Sequence, residues 1–252
     1  MNGHLFERNA QSWLAWTETP CYIGGKTNVA DCDMPLSKQM IAEFVGTLLL
    51  VTTVVGSGIM AESLTGDIAL ALLGNTIATG AILVVLITTL GPISGAHFNP
   101  VVSLVMALRR QLPWSWLLAF IVAQMLGGFC GSVLAHGMFD LDLFQLSAKA
   151  RTGGAQWLAE GVATFGLLLT ILLGLRAQAS ALPWLVGLYI TAAYWFTAST
   201  SFANPAVTFA RAFSDTFAGI RPIDAPMFWV AQVIGGLVAL GLCHMLETKE
   251  QR

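Results

Sequence analysis

Charged side chains are scarce in this chain of 252 residues: Asp, Glu, Lys and Arg together make up only 10%. A water-soluble domain carries roughly a quarter of its residues as charges, because its surface must be hydrated. Hydrophobic residues here make up 56%, and the mean hydropathy is +0.71. The sequence therefore predicts a protein that is surrounded mostly by lipid. The net charge of −2 also gives no reason to expect a nucleic-acid partner.

Cysteine is also rare, and its spacing excludes the common metal and redox motifs. The four cysteines form no C-x-x-C pair, and no nearby histidine completes a zinc-binding spacing. Cys130 and Cys243 lie in apolar runs, where we expect small core residues. Cys21 and Cys32 lie in a polar segment, where free thiols are favoured over a soft-metal contact. We therefore expect no metal and no cofactor.

Six apolar segments are long enough, or nearly so, to cross a membrane. A helix needs about 20 residues to span a hydrocarbon core about 30 Å thick. The predicted spans are Lys38–Met60, Ile68–Leu90, Trp114–His136, Gln156–Leu175, Leu182–Ala198 and Ala225–Met245. No apolar signal sequence is evident before the first span, so residues 1–36 are expected to form an N-terminal cytoplasmic segment.

Two further apolar pieces, Asn99–Leu108 and Asn204–Phe213, are too short to span. Each measures ~15 Å as a helix, which is half of the hydrocarbon thickness. Both begin with Asn-Pro, and proline suits a first helical turn because it lacks the N–H that would be unsatisfied there. We expect two half-helices that enter the membrane and turn back, in preference to helices that lie on its surface.

The two halves of the chain resemble each other, because three motifs recur in the same order. The pairs are Ala42-Glu43 with Ala159-Glu160, Asn99-Pro100 with Asn204-Pro205, and Ala123-Gln124 with Ala231-Gln232. We interpret residues 37–138 and 155–246 as two repeats. Each repeat has three spans, an odd number, so the second is inverted relative to the first. Such repeats place the functional site at their interface, near the membrane midplane.

Inversion brings the N-terminal ends of both half-helices together. Each end carries a charge of about +0.5, so the two repel cations and tolerate a neutral dipolar solute. The amides of Asn99 and Asn204 can donate hydrogen bonds to that solute, and helix N-capping is an alternative role that does not exclude the first. The irregular backbone before each asparagine must line water or be buried in protein. The predicted pore-lining backbone is at Gly95, Ala96, His97, Phe202 and Ala203.

Glu43 and Glu160 are ionisable residues inside predicted spans, which marks them as functional candidates. A proton relay is one interpretation. A buried carboxylate that holds the backbone N–H groups of a re-entrant loop is the other. The brace is favoured, because the spans contain no second acid or lysine that would continue a relay.

The box Ser94-Gly95-Ala96-His97-Phe98-Asn99-Pro100, the second box Asn204-Pro205-Ala206, the glutamates and the repeat resemble the aquaporin (major intrinsic protein) family. The resemblance implies an all-α membrane protein with six transmembrane helices and two re-entrant half-helices over residues 37–252. It also implies a homotetramer in the lipid bilayer, with one pore per subunit. Family members pass water, glycerol, urea or other neutral hydroxylated solutes, so the expected function is a passive channel and not an enzyme.

The chain departs from the family pattern at two positions. Val101 stands where the family usually has alanine, and Val207 stands where an arginine usually narrows the outer selectivity filter. The other filter positions, matched by distance from the boxes, are Thr79, Ala192 and Ser201, with Tyr194 as the alternative to Ala192. Such a filter is uncharged and is expected to be wider than a strict water filter. It resembles the filter of channels found with bacterial arsenic-resistance systems, which pass uncharged arsenite.

Arg211 lies four residues beyond Val207, on the same helical face. Two interpretations stay open. Arg211 supplies a vestibule charge in place of the missing filter arginine, or it forms an i,i+4 ion pair with Asp215.

Lysine and arginine placement predicts the orientation. With the N-terminus inside, eight of the 12 basic residues are on the inner side and four on the outer side, which favours cytoplasmic termini in the cell membrane. The alternative function is an ion-coupled secondary transporter of a small solute, which also uses inverted repeats and broken helices. It is disfavoured because coupling needs titratable or cation-binding groups at the midplane.

Overall fold

The computed structural model describes residues 34–246. Within this range the regular secondary structure is helical, with no strand, and the arrangement of the helices confirms the predicted all-α membrane fold. The expectations for residues 1–33, including those for Cys21 and Cys32, lie outside the described residues.

Eight α-helices make up this part of the chain. In chain order they are α1 (Leu36–Leu64), α2 (Ile68–Ser94), α3 (Pro100–Leu108), α4 (Trp114–Met138), α5 (Gly154–Gln178), α6 (Leu182–Phe196), α7 (Pro205–Arg211) and α8 (Ala225–Leu246). Six of them correspond to the six predicted spans, and each agrees with its predicted span to within about one helical turn at either end. The other two, α3 and α7, are the predicted half-helices.

Five apolar stretches of the described chain are long enough to cross a membrane. One of them, Gly154–Phe196, contains both α5 and α6, which a 3-10 turn at Ala179–Ala181 separates. The chain is therefore a multi-pass membrane protein. Helix α6 has only 15 residues and ends at Phe196, before the predicted end at Ala198.

The half-helices begin in the same way. Asn99 caps α3, and its Oδ1 accepts a hydrogen bond from the Val101 N–H at 2.9 Å. Asn204 caps α7, and its Oδ1 accepts from the Ala206 N–H, also at 2.9 Å. The two helices have nine and seven residues. The caps satisfy backbone donors that have no partner inside a helix.

Glycines allow the long helices of each repeat to approach closely. Helix α1 packs against α4 and α5 packs against α8. A Cβ atom at Gly127 of α4 would lie 2.3 Å from the Phe44 carbonyl oxygen, and one at Gly235 of α8 would lie 2.2 Å from the Gly161 carbonyl oxygen. Both contacts exclude any larger side chain. The two repeats therefore use matching close contacts, and α3 and α7 meet between them.

Candidate functional site

Asn99 and Asn204 each donate a hydrogen bond into the other repeat. The Asn99 Nδ2 donates to the Ala203 carbonyl oxygen, and the Asn204 Nδ2 donates to the Phe98 carbonyl oxygen, both at 2.7 Å. A side-chain amide has two N–H donors, so each asparagine retains a second N–H that is available to a solute. Both asparagines line the same internal cavity.

The carboxylate of Glu43 accepts four hydrogen bonds from the first loop and its surroundings. Oε1 accepts from the Ser94 Oγ at 2.7 Å and the His97 N–H at 2.9 Å. Oε2 accepts from the Phe98 N–H and from the Gln124 Nε2, both at 2.7 Å. Glu43 is fully buried, and these donors take the place of water around its oxygens.

Glu160 has the matching position in the second repeat. Its Oε1 accepts from the Phe202 N–H at 2.9 Å, and its Oε2 accepts from the Ala203 N–H at 2.9 Å and the Gln232 Nε2 at 2.6 Å. Glu160 therefore accepts hydrogen bonds from the backbone of the second loop, as Glu43 does from that of the first. The structure adds Gln124 and Gln232, which the sequence indicates only as part of the repeat motif, as donors to the two glutamates.

The braced loops contain residues in the left-handed backbone region. Ala96 and Phe98 have φ values of 50° and 48°, and Ser201 and Ala203 have φ values of 49° and 48°. This conformation costs a side-chain-bearing residue on the order of 1 kcal/mol or more. The hydrogen bonds to the glutamates offset this cost and orient the carbonyl groups of the loops.

The cavity runs between the two repeats. The space open to the centre of a water molecule is about 80 Å³, which is room for several waters. The predicted site residues that line it are Thr79, Tyr194, Ser201, Val207, Gly95, Ala96, His97, Phe202, Asn99 and Asn204. The remaining loop residues, Pro100, Val101, Ala203, Pro205 and Ala206, are buried beside it.

Tyr194 and not Ala192 reaches the cavity. The Tyr194 hydroxyl lies 3.3 Å from the Thr79 Oγ1, and both residues line the wall. Ala192 is exposed on the outer surface of α6, so its placement in the filter is wrong. Residues two apart on a helix point about 200° apart, so only one of the two can face inward. The Ser201 Oγ is buried and has no hydrogen-bond partner within residues 34–246.

His97 lines the cavity, and its ring contacts other residues of the protein. Its Nδ1 lies 3.0 Å from the Ser103 Oγ, and its ring centroid lies 5.4 Å from that of Phe120. No group of three or more metal-ligating side chains surrounds it in the described part of the chain. His97 is therefore a residue of the cavity wall whose imidazole is held by contacts within the protein.

The structure contradicts the ion pair of Arg211 with Asp215, and it places the Arg211 side chain behind the cavity wall and not in the lumen. That side chain is only 2% exposed and does not line the cavity, so it is not an open vestibule charge. It forms no ion pair with Asp215, whose Oδ1 accepts instead from the Ala148 N–H at 2.9 Å. The i,i+4 pair requires a helix that continues to Asp215, whereas α7 ends at Arg211. The guanidinium lies over the Phe202 ring instead.

Arg151 is a residue beside the site that the sequence reasoning missed. It lies in the link between α4 and α5 and is only 9% exposed. Its Nη1 donates to the Ser199 carbonyl oxygen at 3.0 Å and its Nε to the Gly219 carbonyl oxygen at 2.8 Å. Arg151 thus fastens both ends of the second re-entrant loop. A single arginine in a polar link carries no sequence signal of such a role.

Lys149 lies two residues before this arginine, and its side chain is partly exposed. Its Nζ donates to the Phe217 carbonyl oxygen at 2.6 Å and lies 4.7 Å from the centre of the Phe217 ring. Burial, together with the charges of Arg151 and Arg211, lowers the pKa of Lys149 from 10.5 to about 8, against an opposing effect of Glu62. The link between α4 and α5 therefore adds a third basic group that interacts electrostatically with Arg151 and Arg211.

Comparison with known proteins places these features in context. A family model described as Major intrinsic protein matches residues 32–182 and 174–252. The chain is 61% identical over 214 residues to Aquaglyceroporin AqpS from Rhizobium meliloti (strain 1021), a match that covers 85% of this chain and 92% of that protein. It is 31% identical over 211 residues to Aquaporin NIP2-1 from Oryza sativa subsp. japonica, which covers 80% of this chain and 70% of that protein.

The fold also matches a solved structure. The X-ray structure of the aquaglyceroporin from Plasmodium falciparum aligns with a TM-score of 0.64 and 22% sequence identity. The alignment covers 86% of this chain and 97% of that one. At this identity the likeness establishes the fold alone.

Proposed function

Because this chain belongs to the major intrinsic protein family, we propose that it is a passive channel for small neutral solutes, water and glycerol among them. The observation that carries the proposal is the meeting of Asn99 and Asn204 at one buried cavity. Their helix N-termini repel cations, and their amides offer donors to a solute oxygen.

The composition of the wall supports passive passage over ion coupling. Among the described residues that line the cavity there is no Asp, Glu, Lys or Arg. The two membrane carboxylates, Glu43 and Glu160, are engaged by donors from the protein. A secondary transporter needs groups that bind or release the coupling ion, and this wall offers amides, hydroxyls, carbonyls and one imidazole, that of His97, whose Nδ1 lies 3.0 Å from the Ser103 Oγ.

The filter position favours solutes larger than water. Val207 contributes a small apolar side chain, while Thr79 and Tyr194 contribute hydroxyl groups on the same wall. Glycerol offers hydroxyls and an apolar carbon chain to such a surface. Arsenite as its neutral trihydroxide is close to glycerol in shape, so the proposal includes uncharged arsenite. Aquaglyceroporin AqpS, to which this chain is similar, carries a name consistent with a glycerol-conducting channel.

The proposal extends to the setting of the channel. We infer cytoplasmic termini in the cell membrane, which makes the Val207 end of the cavity the outer end. Large apolar side chains are exposed on the outer faces of the long helices, for example Ile41, Leu118, Leu158 and Leu188. These faces suit lipid and the neighbours of a homotetramer. The channel domain of residues 37–252 is built from the repeats 37–138 and 155–246, which the paired glutamate contacts support.

The test is osmotic swelling of vesicles that contain the purified protein. An osmotic gradient that drives water, and concentration gradients of glycerol, urea and arsenite, are applied in parallel experiments. Each experiment is run with and without a proton gradient. A channel gives swelling rates that exceed those of empty vesicles and do not change with the proton gradient. Accumulation of any solute against its own gradient when protons flow would establish a coupled transporter instead.

A further inference from the structure

Phe202 is a residue of the cavity wall whose ring contacts two buried guanidinium groups. Phe202 lines the cavity, whereas neither Arg151 nor Arg211 does. The Cζ atom of Arg211 lies 3.4 Å from the centre of the Phe202 ring, and the Cζ of Arg151 lies 5.0 Å from it. Two cations therefore lie against one aromatic ring in the wall at the Val207 end.

Neither guanidinium contacts a carboxylate in the described part of the chain. The Nε of Arg211 donates to the Ala218 carbonyl oxygen, and its Nη1 is buried without a partner. The side chain of Arg151 donates only to the carbonyl oxygens of Ser199 and Gly219. Arg221 does contact a carboxylate, in an ion pair with Asp224 nearer the surface. Carbonyl groups hold these cations in place without cancelling their charge.

One carboxylate, that of Glu160, interacts electrostatically with both arginines, and so does the phenol of Tyr194. The oxygens of Glu160 are turned toward the N–H groups of Phe202 and Ala203 and toward Gln232. One carboxylate against two guanidinium groups leaves a net positive charge beside the lumen. Because both arginines are buried, water screens their field far less than it screens a surface charge.

We propose, on the basis of the proposed channel function, that Arg151 and Arg211 act through the Phe202 wall as the charge barrier against cations and protons at the outer end of the pore. They raise the electrostatic potential of the lumen without occupying it. An arginine in the wall would both narrow the passage and exclude cations. Here the two effects are separated: Val207 leaves the passage wide and uncharged, and the two buried arginines exclude cations.

The competing interpretation is that these arginines only fasten the second loop. A fastening residue and a barrier residue differ in what their removal changes. Loss of fastening lowers stability and neutral-solute flux together. Loss of the barrier raises proton flux while glycerol still passes.

The experiment compares Arg211→Gln and Arg151→Gln with the wild type in vesicles. Glutamine retains N–H donors for the backbone carbonyls and removes the charge. Proton flux is measured with an internal pH dye under an imposed membrane potential, and glycerol swelling is measured on the same vesicles. For each variant that swells with glycerol, proton flux is expected to rise on the order of tenfold, as removal of one charge from a partly desolvated site implies. Unchanged proton flux in such a variant overturns the proposal.

Arg221→Gln is the matched control. It makes the same change of charge and residue type in the outer link before α8, where Arg221 is 38% exposed and paired with Asp224 at 3.0 Å. Its proton flux is expected to equal that of the wild type. An increase as large as that of Arg211→Gln would mean that any outer positive charge suffices, which overturns the role of the buried pair.

Lysine variants keep the proposal testable where a glutamine variant does not fold. Arg211→Lys and Arg151→Lys retain a positive charge, but a buried lysine loses its proton far more readily than an arginine. Each is expected to match the wild type at about pH 6 and to leak protons relative to the wild type at about pH 10, where the lysine is neutral. A ratio of variant to wild-type flux that does not change with pH overturns the barrier.

The wild-type arm separates the two proposals. If vesicles with the wild-type protein fail to swell faster than empty vesicles in every solute, the channel function fails. If they swell and the arginine variants conduct protons no better than the wild type, only the barrier fails.

Discussion

The hydroxyl oxygens of Thr79 and Tyr194 lie 3.3 Å apart and join α2 to α6 at the cavity wall. The Thr79 hydroxyl also donates to the Asn75 carbonyl oxygen at 2.8 Å, which leaves its lone pairs for the tyrosine or a solute. This pair faces the same lumen as Val207. It provides the hydroxyl groups of the proposed filter, and substitutions there separate polarity from size.

Tyr194→Phe is expected to reduce glycerol permeability roughly two- to tenfold, because the wall loses one hydrogen-bonding group worth about 1 kcal/mol. Water permeability should fall less, because the phenyl ring keeps the passage open. Stopped-flow light scattering of vesicles measures both rates. Ala192→Val, on the exposed face of the same helix, is the control and should change neither. A glycerol rate equal to that of the wild type would exclude the hydroxyl from selectivity.

Val207→Arg is expected to narrow the lumen and to suppress glycerol and arsenite fluxes more than the water flux. The long side chain would enter a passage that the wild type leaves open at this position. Val207→Leu adds bulk without charge and distinguishes the two causes. Swelling assays with the three solutes provide the comparison. Equal or greater polyol flux in the arginine variant would reject the assignment of Val207 to the filter.

Glu43→Gln is expected to destabilise the protein by on the order of 3 kcal/mol. Glutamine places an NH₂ group where the wild-type carboxylate accepts from four donors, so at least one donor loses its acceptor. Thermal unfolding in detergent measures the change. Asp142→Asn, an exposed acid in the link after α4, is the control for the loss of one negative charge. Equal melting temperatures for the two variants would contradict the bracing role.

Gly127→Ala is expected to destabilise the protein by about 1–3 kcal/mol, because its Cβ would lie 2.3 Å from the Phe44 carbonyl oxygen and force α1 and α4 apart. Gly74→Ala in α2 is the matched control, since a Cβ there meets nothing within 4 Å. It should stabilise the helix by about 0.5–1 kcal/mol. The two melting temperatures should therefore move in opposite directions, and a shift of the same sign would contradict the packing described.

The lowered pKa of Lys149 predicts that the stability of the protein depends on pH. Its pKa is about 8 in the folded protein and 10.5 in the reference state, so between these values the unfolded chain binds more protons. Stability then rises with pH, because the cost of burying the charge is present below about 8 and is relieved as the group loses its proton. Lys149→Met should remove this rise, as measured by melting temperature from neutral to alkaline pH.

Lys38→Met is the control for that measurement, because Lys38 is an exposed lysine near the N-terminal end of α1. It should retain the wild-type increase in melting temperature with pH. A Lys149→Met protein that gains as much stability on alkalisation as the wild type would show that another group causes the effect.

The helices could be predicted because their signals are local. A run of apolar residues as long as Ile68–Ser94 must be helical in lipid, since every backbone N–H and carbonyl group needs a partner within the segment. Asn-Pro before a short apolar piece marks a helix start for the same reason. Matching motifs at Glu43 and Glu160 then predicted the inverted arrangement, which needs only the order of the spans.

The filter and the arginines could not be predicted in the same way. Whether Ala192 or Tyr194 faces inward depends on the rotation of α6 about its axis, which packing against α2 and α5 sets. The position of the Arg211 side chain depends on where α7 ends. The end of α7 is set by the turns that follow it and fold back toward the link between α4 and α5. Arg151 contacts residues 48 and 68 positions away in the chain, so no local pattern reports it.

The sequence by itself determined that this chain lies in a membrane, crosses it in two inverted halves and carries an asparagine at the start of each half-helix. These properties follow from hydrophobic length and helix-start chemistry, which act within a few turns of the chain. Only the tertiary structure decided which side chains meet the lumen and which charges lie behind it. Those choices depend on helix rotation, helix ends and contacts between distant segments, where small changes of backbone position redirect a side chain.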